Sequence, residues 1–360
     1  MIKGVSGSKP IPPSDPEQRR RFEFTQAIEG NRDQWGRPKI KLPGEDGREV
    51  GYRRASSYGS PLEDVTALEN WKLRQVARGV ARRGDLQLAV TRSEMGLDSP
   101  EFDEQRAAKK ELDALCAQAM DVVESGAKAV IGTAEHHVFE MVDLGKDPGV
   151  IPQQWKPDLA AYQELTRGFR SVSIERFVVQ DDHQVAGTLD RAVELLHDTE
   201  APDGSILEAG SVIIGDVKTA QRMEFAGSKF AIQCWVYATG TPYNPVTKMR
   251  EPWEHTPPRT DWAVIFHVAS GSGQARLYWV DLVAAAAAAE IVREVYVWRN
   301  RLGKAMISAA AENFVATCAL ATSLDDLLEA HERAVKQGAW NDALRARFAE
   351  RKRELLRGVA

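Results

Sequence analysis

An acid and a lysine two positions apart follow an apolar run in the chain, where residues 213–219 read Ile-Ile-Gly-Asp-Val-Lys-Thr. Side chains of a strand alternate between its two faces, so Asp216 and Lys218 point one way and Val217 points the other. A carboxylate and an ammonium group are costly to bury without partners. The pattern therefore indicates a metal ion as the partner of Asp216, and a water molecule or a phosphate as the partner of Lys218.

A histidine near a predicted helix start is a second candidate for the same site. Gly132 and Thr133 begin this helix, with Thr133 as its N-cap and His136 about one turn further on. An imidazole at that position can point a ring nitrogen towards a site in front of a sheet. The alternative interpretation of His136 is a hydrogen-bonded, partly buried histidine with a structural role.

An acid inside a strand and a polar pair on a helix complete the set. Asp190 lies in a predicted strand three residues after Gly187, although acids are disfavoured in strands. Gln233 and Tyr237 are four residues apart, so they project from one face of a predicted helix. The alternative for Asp190 is a solvent-facing acid on an edge strand. The alternative for Gln233 and Tyr237 is a pair of polar groups at the rim of an apolar core.

The elements that must position these residues run in the order helices, then β-β-β-α-β-β, then helices again. This order predicts an α/β fold of the mixed α+β kind, with a mixed central β-sheet flanked by helices and with helical extensions at both ends. The predicted ranges are helices at about 62–85, 100–125, 132–145, 157–168, 225–239, 283–312, 323–336 and 340–357, and strands at about 172–181, 184–196, 211–218, 261–269 and 275–281.

Four regions follow from this order. They are an irregular N-terminal arm (1–60), a helical N-terminal region (61–128), the core (129–312) and a C-terminal helical extension (313–360). The arm is rich in proline, glycine, serine and charged residues, which is typical of irregular or disordered chain. The alternative is an ordered wrap over the core, anchored by Phe22, Phe24, Trp35 and Tyr52.

The charge distribution is uneven. A formal net charge of −5 over 360 residues argues against a protein that coats nucleic acid through bulk charge, but it permits a local basic groove. The predicted helix at 62–85 is basic, and it is interpreted either as a contact to the nucleic-acid backbone or as a solvated helix face. Its basic residues are Lys72, Arg74, Arg78, Arg82 and Arg83.

The cysteine pattern limits the cofactors. Cys116, Cys234 and Cys318 lie far apart, and no Cys-x-x-Cys pair or Cys/His cluster occurs. We therefore expect no zinc site, no iron–sulfur cluster and no disulfide framework. The sequence has no apolar signal segment and no run of about 18 apolar residues, which predicts a cytoplasmic protein with no membrane partner.

Together the polar elements resemble the RecB-like branch of the PD-(D/E)XK nuclease superfamily, which includes the Cas4-type exonucleases and phage recombination nucleases. That branch has a GxxxH helix start, a GxxD strand, a (D/E)xK strand and a QxxxY helix, in this order. The corresponding residues here are Gly132 and His136, Gly187 and Asp190, Asp216 and Lys218, and Gln233 and Tyr237. A glutamate also recurs in the strand before the GxxD element, where Glu175 stands.

The resemblance covers about residues 130–282. The later part of the chain, with a proline-rich insert and an alanine-rich helix, most resembles versions encoded by phages of high-GC bacteria. Many Cas4-type members hold an iron–sulfur cluster with four cysteines, whereas this chain has three cysteines. The chain therefore resembles a cluster-free member of the family.

A metal site is the first implication of the resemblance. It implies a divalent ion, Mg²⁺ or Mn²⁺, held by His136, Asp190, Asp216 and the backbone carbonyl of Val217. Glu175 is implied to help hold a second metal ion.

The resemblance also implies roles in catalysis and substrate binding. Lys218 would hold the attacking water or neutralise charge on the phosphoryl oxygens, so Lys218, Asp216 and Asp190 are the expected catalytic residues. Gln233 and Tyr237 would position the substrate backbone.

On this resemblance we expect a metal-dependent DNA exonuclease that processes DNA ends in phage recombination, replication or repair. Its expected partners are DNA ends or single strands, a recombinase or single-strand-binding protein, and further copies of the same chain. Three alternatives stay open. Two are a structure-specific endonuclease of the same fold and a non-catalytic DNA-binding scaffold for recombination, and the third, which sets the resemblance aside, is a structural interaction protein whose polar residues are all surface features.

Overall fold

A computed structural model describes residues 16–44, 47–123, 127–221, 223, 227–305, 309–338, 340 and 342–358. These residues form two compact units, which meet in the sequence between Glu290 and Ile291. The region boundaries predicted at residues 60, 128 and 312 do not coincide with this division. All of the predicted site residues belong to the first unit.

Twelve α-helices and twelve β-strands lie within the described ranges. The helices are α1 Pro16–Gly30, α2 Ala55–Tyr58, α3 Thr66–Arg82, α4 Gly84–Glu94, α5 Phe102–Val122, α6 Ala127–Asp143, α7 Lys156–Leu165, α8 Gly227–Thr239, α9 Leu282–Ala305, α10 Ala309–Leu320, α11 Leu324–Lys336 and α12 Asp342–Gly358. The strands are β1 Lys39–Lys41, β2 Glu49–Gly51, β3 Arg53–Arg54, β4 Phe169–Gln180, β5 Val185–Leu195, β6 Thr199–Glu200, β7 Ile206–Leu207, β8 Val212–Lys218, β9 Thr241–Asn244, β10 Met249–Arg250, β11 Trp262–Val268 and β12 Ala275–Asp281.

The central sheet is mixed. Its strands follow the order β10-β9-β4-β5-β8-β11-β12, and β3 pairs with β5 beside this path. The pairings of β8 with β11 and of β3 with β5 are parallel, and the other pairings in the sheet are antiparallel. The prediction of a mixed α/β fold with a mixed central sheet is therefore confirmed.

Helices cover both faces of this sheet. On one face, α6 and α7 contribute Phe139 and Tyr162 to a core cluster that includes Val217 of β8 and Phe266 of β11. On the other face lies α8, whose residues from Ile232 to Ala238 are all buried. Because β8 is rich in β-branched residues and buried along nearly its whole length, it is the strand that the two helical layers enclose.

The N-terminal arm is ordered from residue 16 onwards, so the prediction of an irregular arm is wrong for the part that the structure describes. This part contains α1, the β1–β2 hairpin and β3, which joins the central sheet. Tyr52 is fully buried and anchors the arm, as the alternative interpretation proposed, whereas Trp35 is 68% exposed and does not. Residues 1–15 lie outside the described residues.

Several other boundaries differ from the predictions. The helix expected at 62–85 is interrupted at Arg83, where extended backbone separates α3 from α4. The helix that carries His136 begins at Ala127, so Thr133 lies inside it and is not its N-cap. The segments 198–210 and 240–260, for which the predicted ranges give no helix or strand, contain the short strand pairs β6–β7 and β9–β10.

The second unit has an apolar core of its own. Ser323 caps α11 through a capping box, in which its Oγ accepts the Asp326 N–H and Asp326 Oδ2 accepts the Ser323 N–H. The buried residues of this core are Phe314, Cys318, Ala321, Leu327, Ala330, Ala334 and Leu344. Within the described part of the chain, no helix has both the length and the apolar character needed to cross a membrane.

Replacing Gly215 with alanine is expected to lower the free energy of unfolding by about 1–3 kcal/mol, because overpacking a core strains it. An added Cβ would lie 2.6 Å from Cε2 of the buried Phe266 ring. Urea unfolding followed by circular dichroism measures the change. The matched control is Gly84→Ala at the start of α4, where no atom lies within 4 Å of the added Cβ. Equal losses in both variants would contradict this account of the packing at Gly215.

Candidate active site

The candidate site forms where β5 and β8 stop pairing. Their ladder runs from the pair Glu194 and Val212 to the pair Arg191 and Gly215, and the next backbone N–H of β8 that faces β5 belongs to Val217. That N–H donates to Oδ2 of Asp190 at 2.9 Å, so a side chain replaces the missing backbone acceptor. This hydrogen bond holds the acid of one strand beside the next strand of the sheet.

Asp216 is fully buried at the same place. Its Oδ2 contacts the ammonium of Lys218, and its Oδ1 accepts a hydrogen bond of 3.3 Å from Nε2 of Gln233. Burial raises the pKa of Asp216, and the carboxylate of Asp190 adds to this effect, although Lys218 opposes it. Two acids share this pocket with a single ammonium group, so their charge is only partly compensated.

Lys218 keeps its charge in these surroundings. Burial alone would lower its pKa, but the carboxylates of Asp216 and Asp190 outweigh burial and hold the pKa above its ordinary value. The ring of Phe230 lies 5.0 Å from the ammonium and forms a cation–π contact. The lysine is therefore a fixed positive charge at the end of β8.

The polar pair on α8 supports Asp216 from the second face of the sheet. Nε2 of Gln233 also donates to the hydroxyl of Tyr237 at 3.0 Å, so both predicted side chains project towards the sheet. Gly187 leaves room for this ring, because a Cβ there would lie 3.1 Å from Cε1 of Tyr237. Burial raises the pKa of Tyr237 well above its ordinary value, so its hydroxyl stays protonated.

His136 reaches the site from α6 on the first face. Its Nδ1 lies 4.0 Å from Oδ2 of Asp190. Gly132, one turn earlier, lets α6 approach the end of β8, since a Cβ there would lie 2.6 Å from Oγ1 of Thr219. Burial lowers the pKa of His136, with Lys218 contributing and Asp190 opposing, so the imidazole is neutral at pH 7 and its nitrogens can act as ligands.

Glu175 joins the site through an unusual backbone conformation. Its φ of 52° is left-handed, a region that non-glycine residues seldom adopt. Because Ile174 pairs with Arg191 and Arg176 with Leu189, Glu175 lies beside Asp190 across the β4–β5 pairing. Desolvation and the carboxylates of Asp190 and Glu140 raise the pKa of Glu175 to about 8, although the residue stays open to solvent, which screens part of this effect.

A cleft of about 950 Å³ opens above these groups. Asp158 fixes one of its walls, because its carboxylate accepts the N–H groups of Gly271 and Gly273 at 2.6 Å each and so holds the turn between β11 and β12. The lining side chains with polar or aromatic groups are Thr133, His136, His137, Glu140, Gln154, Trp155, Glu175, Lys218, Thr219, Gln221 and Ser270.

The structure brings the predicted site residues together. Asp216, Lys218 and Gln233 form one connected set of contacts, to which Tyr237 is joined through Gln233, and Asp190 is held beside this set by the Val217 N–H. His136 lies at the edge of this set, and Glu175 faces the same cleft.

Neighbouring residues that the sequence analysis did not select have other partners. Arg191 points to the opposite face of β5, where its guanidinium pairs with Asp143 of α6. His137 is largely exposed, although it lines the outer part of the cleft beside His136.

Two residues of the site were not predicted. Glu140 lies one turn after His136 on α6, and Nη1 of Arg21 from α1 contacts its Oε1. Arg21 also donates to the carbonyl of Ile174 at 3.3 Å, next to Glu175. The i to i+4 spacing from His136 would have indicated Glu140, whereas Arg21 lies in the segment that was predicted to be irregular.

The donor groups suit a divalent cation in chemical type. Carboxylate oxygens and a neutral imidazole are ligands that Mn²⁺ accepts, and Mg²⁺ prefers the oxygens. Among the described residues, however, no three histidine, cysteine, aspartate or glutamate side chains form a ready metal-binding group. Lys218 occupies one oxygen of Asp216, so a cation at this position would share that carboxylate with the ammonium.

Comparisons with known proteins do not assign the chain to a family. No protein-family model matches it, and a search of curated proteins finds no significant match.

Removing the ammonium group of Lys218 should destabilise the protein, because the buried carboxylate of Asp216 then has no compensating charge. Lys218→Met in the presence of EDTA is expected to lower the free energy of unfolding by about 3–5 kcal/mol at pH 8, because the carboxylate loses its compensating charge. The loss should shrink as the pH falls towards 5. The reason is the raised pKa of Asp216 in the folded protein. When the pH falls below this pKa, the folded protein binds a proton that the unfolded chain does not yet bind, so protonation stabilises the folded state and removes the uncompensated charge.

Urea unfolding at several pH values measures this dependence. The matched control is the double variant Asp216→Asn/Lys218→Met, which removes both charges and should recover most of the lost stability at pH 8. A single Lys218→Met variant as stable as the wild type at pH 8 would show that Asp216 needs no compensating cation.

Proposed function

We propose that the protein is a metal-dependent DNA exonuclease on a PD-(D/E)XK core. The observation that carries the proposal is the meeting of His136, Asp190, Asp216 and Lys218 near the end of β8, in the order in which the RecB-like motifs occur. His136 and Lys218 line the cleft, and the two acids lie beneath it. These residues come from three separate elements, and a purely structural role would not require them to meet. The order α6, β4, β5, β8, α8 also agrees with the arrangement of the motifs along the resembled family.

A divalent metal is the proposed cofactor. His136, Asp190, Asp216 and the carbonyl of Val217 would hold it, and Glu175 would hold a second ion. When bound, such an ion polarises the scissile phosphate and lowers the pKa of a water ligand. Asp190 is fixed for this role by the Val217 N–H, and His136 is held neutral by burial.

The remaining residues handle the substrate and its charge. Lys218 is a permanent cation at the cleft floor, so it attracts the phosphate and stabilises negative charge that develops on the phosphoryl oxygens. Gln233 fixes one oxygen of Asp216, and the other contacts Lys218, so a bound ion would share this carboxylate with the ammonium. Tyr237 orients Gln233 by accepting its second amide hydrogen, so both residues of α8 position the catalytic groups and need not touch DNA.

Cleavage of DNA tests the proposal directly. The wild type should degrade linear DNA with Mg²⁺ or Mn²⁺, and Lys218→Ala should be slower by on the order of 10²–10³, because the charge that stabilises the transition state is lost. The control variant is Lys229→Ala, a lysine of α8 that pairs with Glu63 at 3.4 Å outside the cleft. Equal rates for wild type, Lys218→Ala and Asp216→Ala would overturn the proposal, and cleavage of closed circular DNA would replace the exonuclease by an endonuclease.

Binding of Mn²⁺ tests the metal site without relying on cleavage. Calorimetry should give tighter binding at pH 8 than at pH 6, because the raised pKa of Asp216 means that a proton must leave before the ion binds. Asp190→Asn should weaken binding by about 10-fold or more. The control is Asp325→Asn at the exposed start of α11, which should bind as the wild type does. Binding that is absent, or equal in both variants, would favour the non-catalytic scaffold.

A further inference from the structure

The helix α3 carries a row of arginines that the proposed active site does not use. Arg74, Arg78 and Arg82 are spaced four residues apart, and Trp71 precedes them by three. Residues three and four apart on a helix lie on the same face, so these four side chains form one stripe, here called the arginine stripe. Successive arginines are about 6 Å apart along the helix axis, from a rise of about 1.5 Å per residue.

Among the described residues, the cations of the arginine stripe have no acidic partners. Glu69 is the single acid of α3, and it lies in the first turn. In the described part of the chain, no carboxylate forms an ion pair with Arg74 or Arg82, while Arg78 donates to the neutral amide of Gln75 at 2.8 Å. All three arginines are exposed. In a protein with a net charge of −5, an unpaired row of cations marks a surface that attracts anions.

Packing fixes the direction in which the stripe points. Gln75 and Gly79 are the buried residues of α3, and Gly79 meets α5 so closely that a Cβ would lie 1.8 Å from the carbonyl oxygen of Ala119. Val76 and Val80 pack against the apolar cluster of α4 and α5. Because α3 cannot roll about its axis, the arginines and Trp71, which is 37% exposed, stay on the outer face.

We propose that the arginine stripe binds the phosphate backbone of DNA outside the active-site cleft, with Trp71 stacking on an unpaired base. Three exposed guanidinium groups, one per helical turn, suit a polyanion whose charges repeat along a line, and a neighbouring indole suits a base. An anionic membrane fits less well, because Val76 and Val80 are packed inside the α3–α5 bundle and the exposed Leu68 and Leu73, which are five residues apart, do not share one helix face that could enter lipid. The choice of DNA rests on the proposed nuclease function, whereas the binding itself needs no cleavage.

Salt-dependent binding of DNA tests the stripe. The stripe variant is Arg74→Gln/Arg78→Gln/Arg82→Gln, and the matched control is Arg106→Gln/Lys109→Gln/Lys110→Gln, which removes three exposed cations from α5 where acids flank them. Fluorescence anisotropy with labelled single-stranded and duplex DNA in EDTA, at several salt concentrations, gives the affinity and its salt slope. In the stripe variant, the slope of log affinity against log salt concentration should fall in magnitude by about 2–3, and the affinity at low salt should fall by about 10–100-fold. In the control variant, the affinity should fall by less than about twofold.

The outcomes separate this proposal from the proposed function. Equal salt slopes and equal affinities in the stripe variant and the control would contradict DNA binding by the arginine stripe, even if both proteins cleave DNA. If the wild type cleaves no DNA but its DNA binding depends on the arginine stripe, the proposed nuclease function is wrong and the proposed DNA binding by the stripe is supported. Loss of binding to phosphatidylserine vesicles with unchanged DNA binding would replace DNA by a membrane surface and so overturn the proposal.

Two further variants guard against a folding artefact. Arg74→Lys/Arg78→Lys/Arg82→Lys keeps the charge and should retain the salt slope of the wild type, because the slope counts neutralised phosphates. Trp71→Ala should weaken single-stranded more than duplex binding, since duplex bases are already stacked. If the lysine variant lost the slope while melting at the wild-type temperature, electrostatic contact with the backbone would be ruled out.

Discussion

Two neighbouring carboxylates, one of them fully buried, need a positive charge beside them, and much of the first unit serves this requirement. Asp190 and Asp216 lie together where β5 and β8 separate. Lys218 supplies the charge from the same strand face as Asp216, and Gln233 supplies a neutral donor from α8. Burying one carboxylate costs free energy, and burying two side by side costs more. The ammonium of Lys218 and the amide of Gln233 offset this cost, and packing holds both groups in place.

The glycines in the motifs work through distance and not through backbone torsion. Gly132 and Gly187 both have ordinary backbone angles, yet a Cβ at either position would press on a neighbouring group within 3 Å. Gly132 lets α6 approach Thr219, which brings His136 close to Asp190, and Gly187 leaves space for Tyr237 and Ala55. Each glycine therefore sets how closely a helix approaches the sheet, which decides whether the polar side chains of the two can meet.

Local patterns predicted the elements better than they predicted the contacts. The ranges of β4, β5, β8, β11 and β12 were found within a few residues, because apolar and β-branched runs are local properties of the sequence. Composition was a poor guide where long-range strand pairing determines the structure. The proline-rich segment after Gly240 still adds β9, and β10 outside it, to the sheet next to β4. Arg21 was missed for the same reason, since its contact with Glu140 spans 119 positions of sequence.

The acidity of the cleft limits what its own residues can contribute to affinity. Glu140 and Glu175 line it, Asp190 and Asp216 lie beneath, and the nearby cations Lys218 and Arg21 already contact Asp216 and Glu140. A phosphate approaching this surface meets more negative than positive charge, so in the proposed nuclease a divalent cation is required for substrate binding as well as for chemistry. Attraction over longer distances must come from cations that no carboxylate neutralises. Among the described residues, Arg74 and Arg82 of α3 form no ion pair with a carboxylate and so meet this condition. In the proposed nuclease, a basic outer surface would therefore attract DNA, and the acidic cleft would bind it through the metal ion.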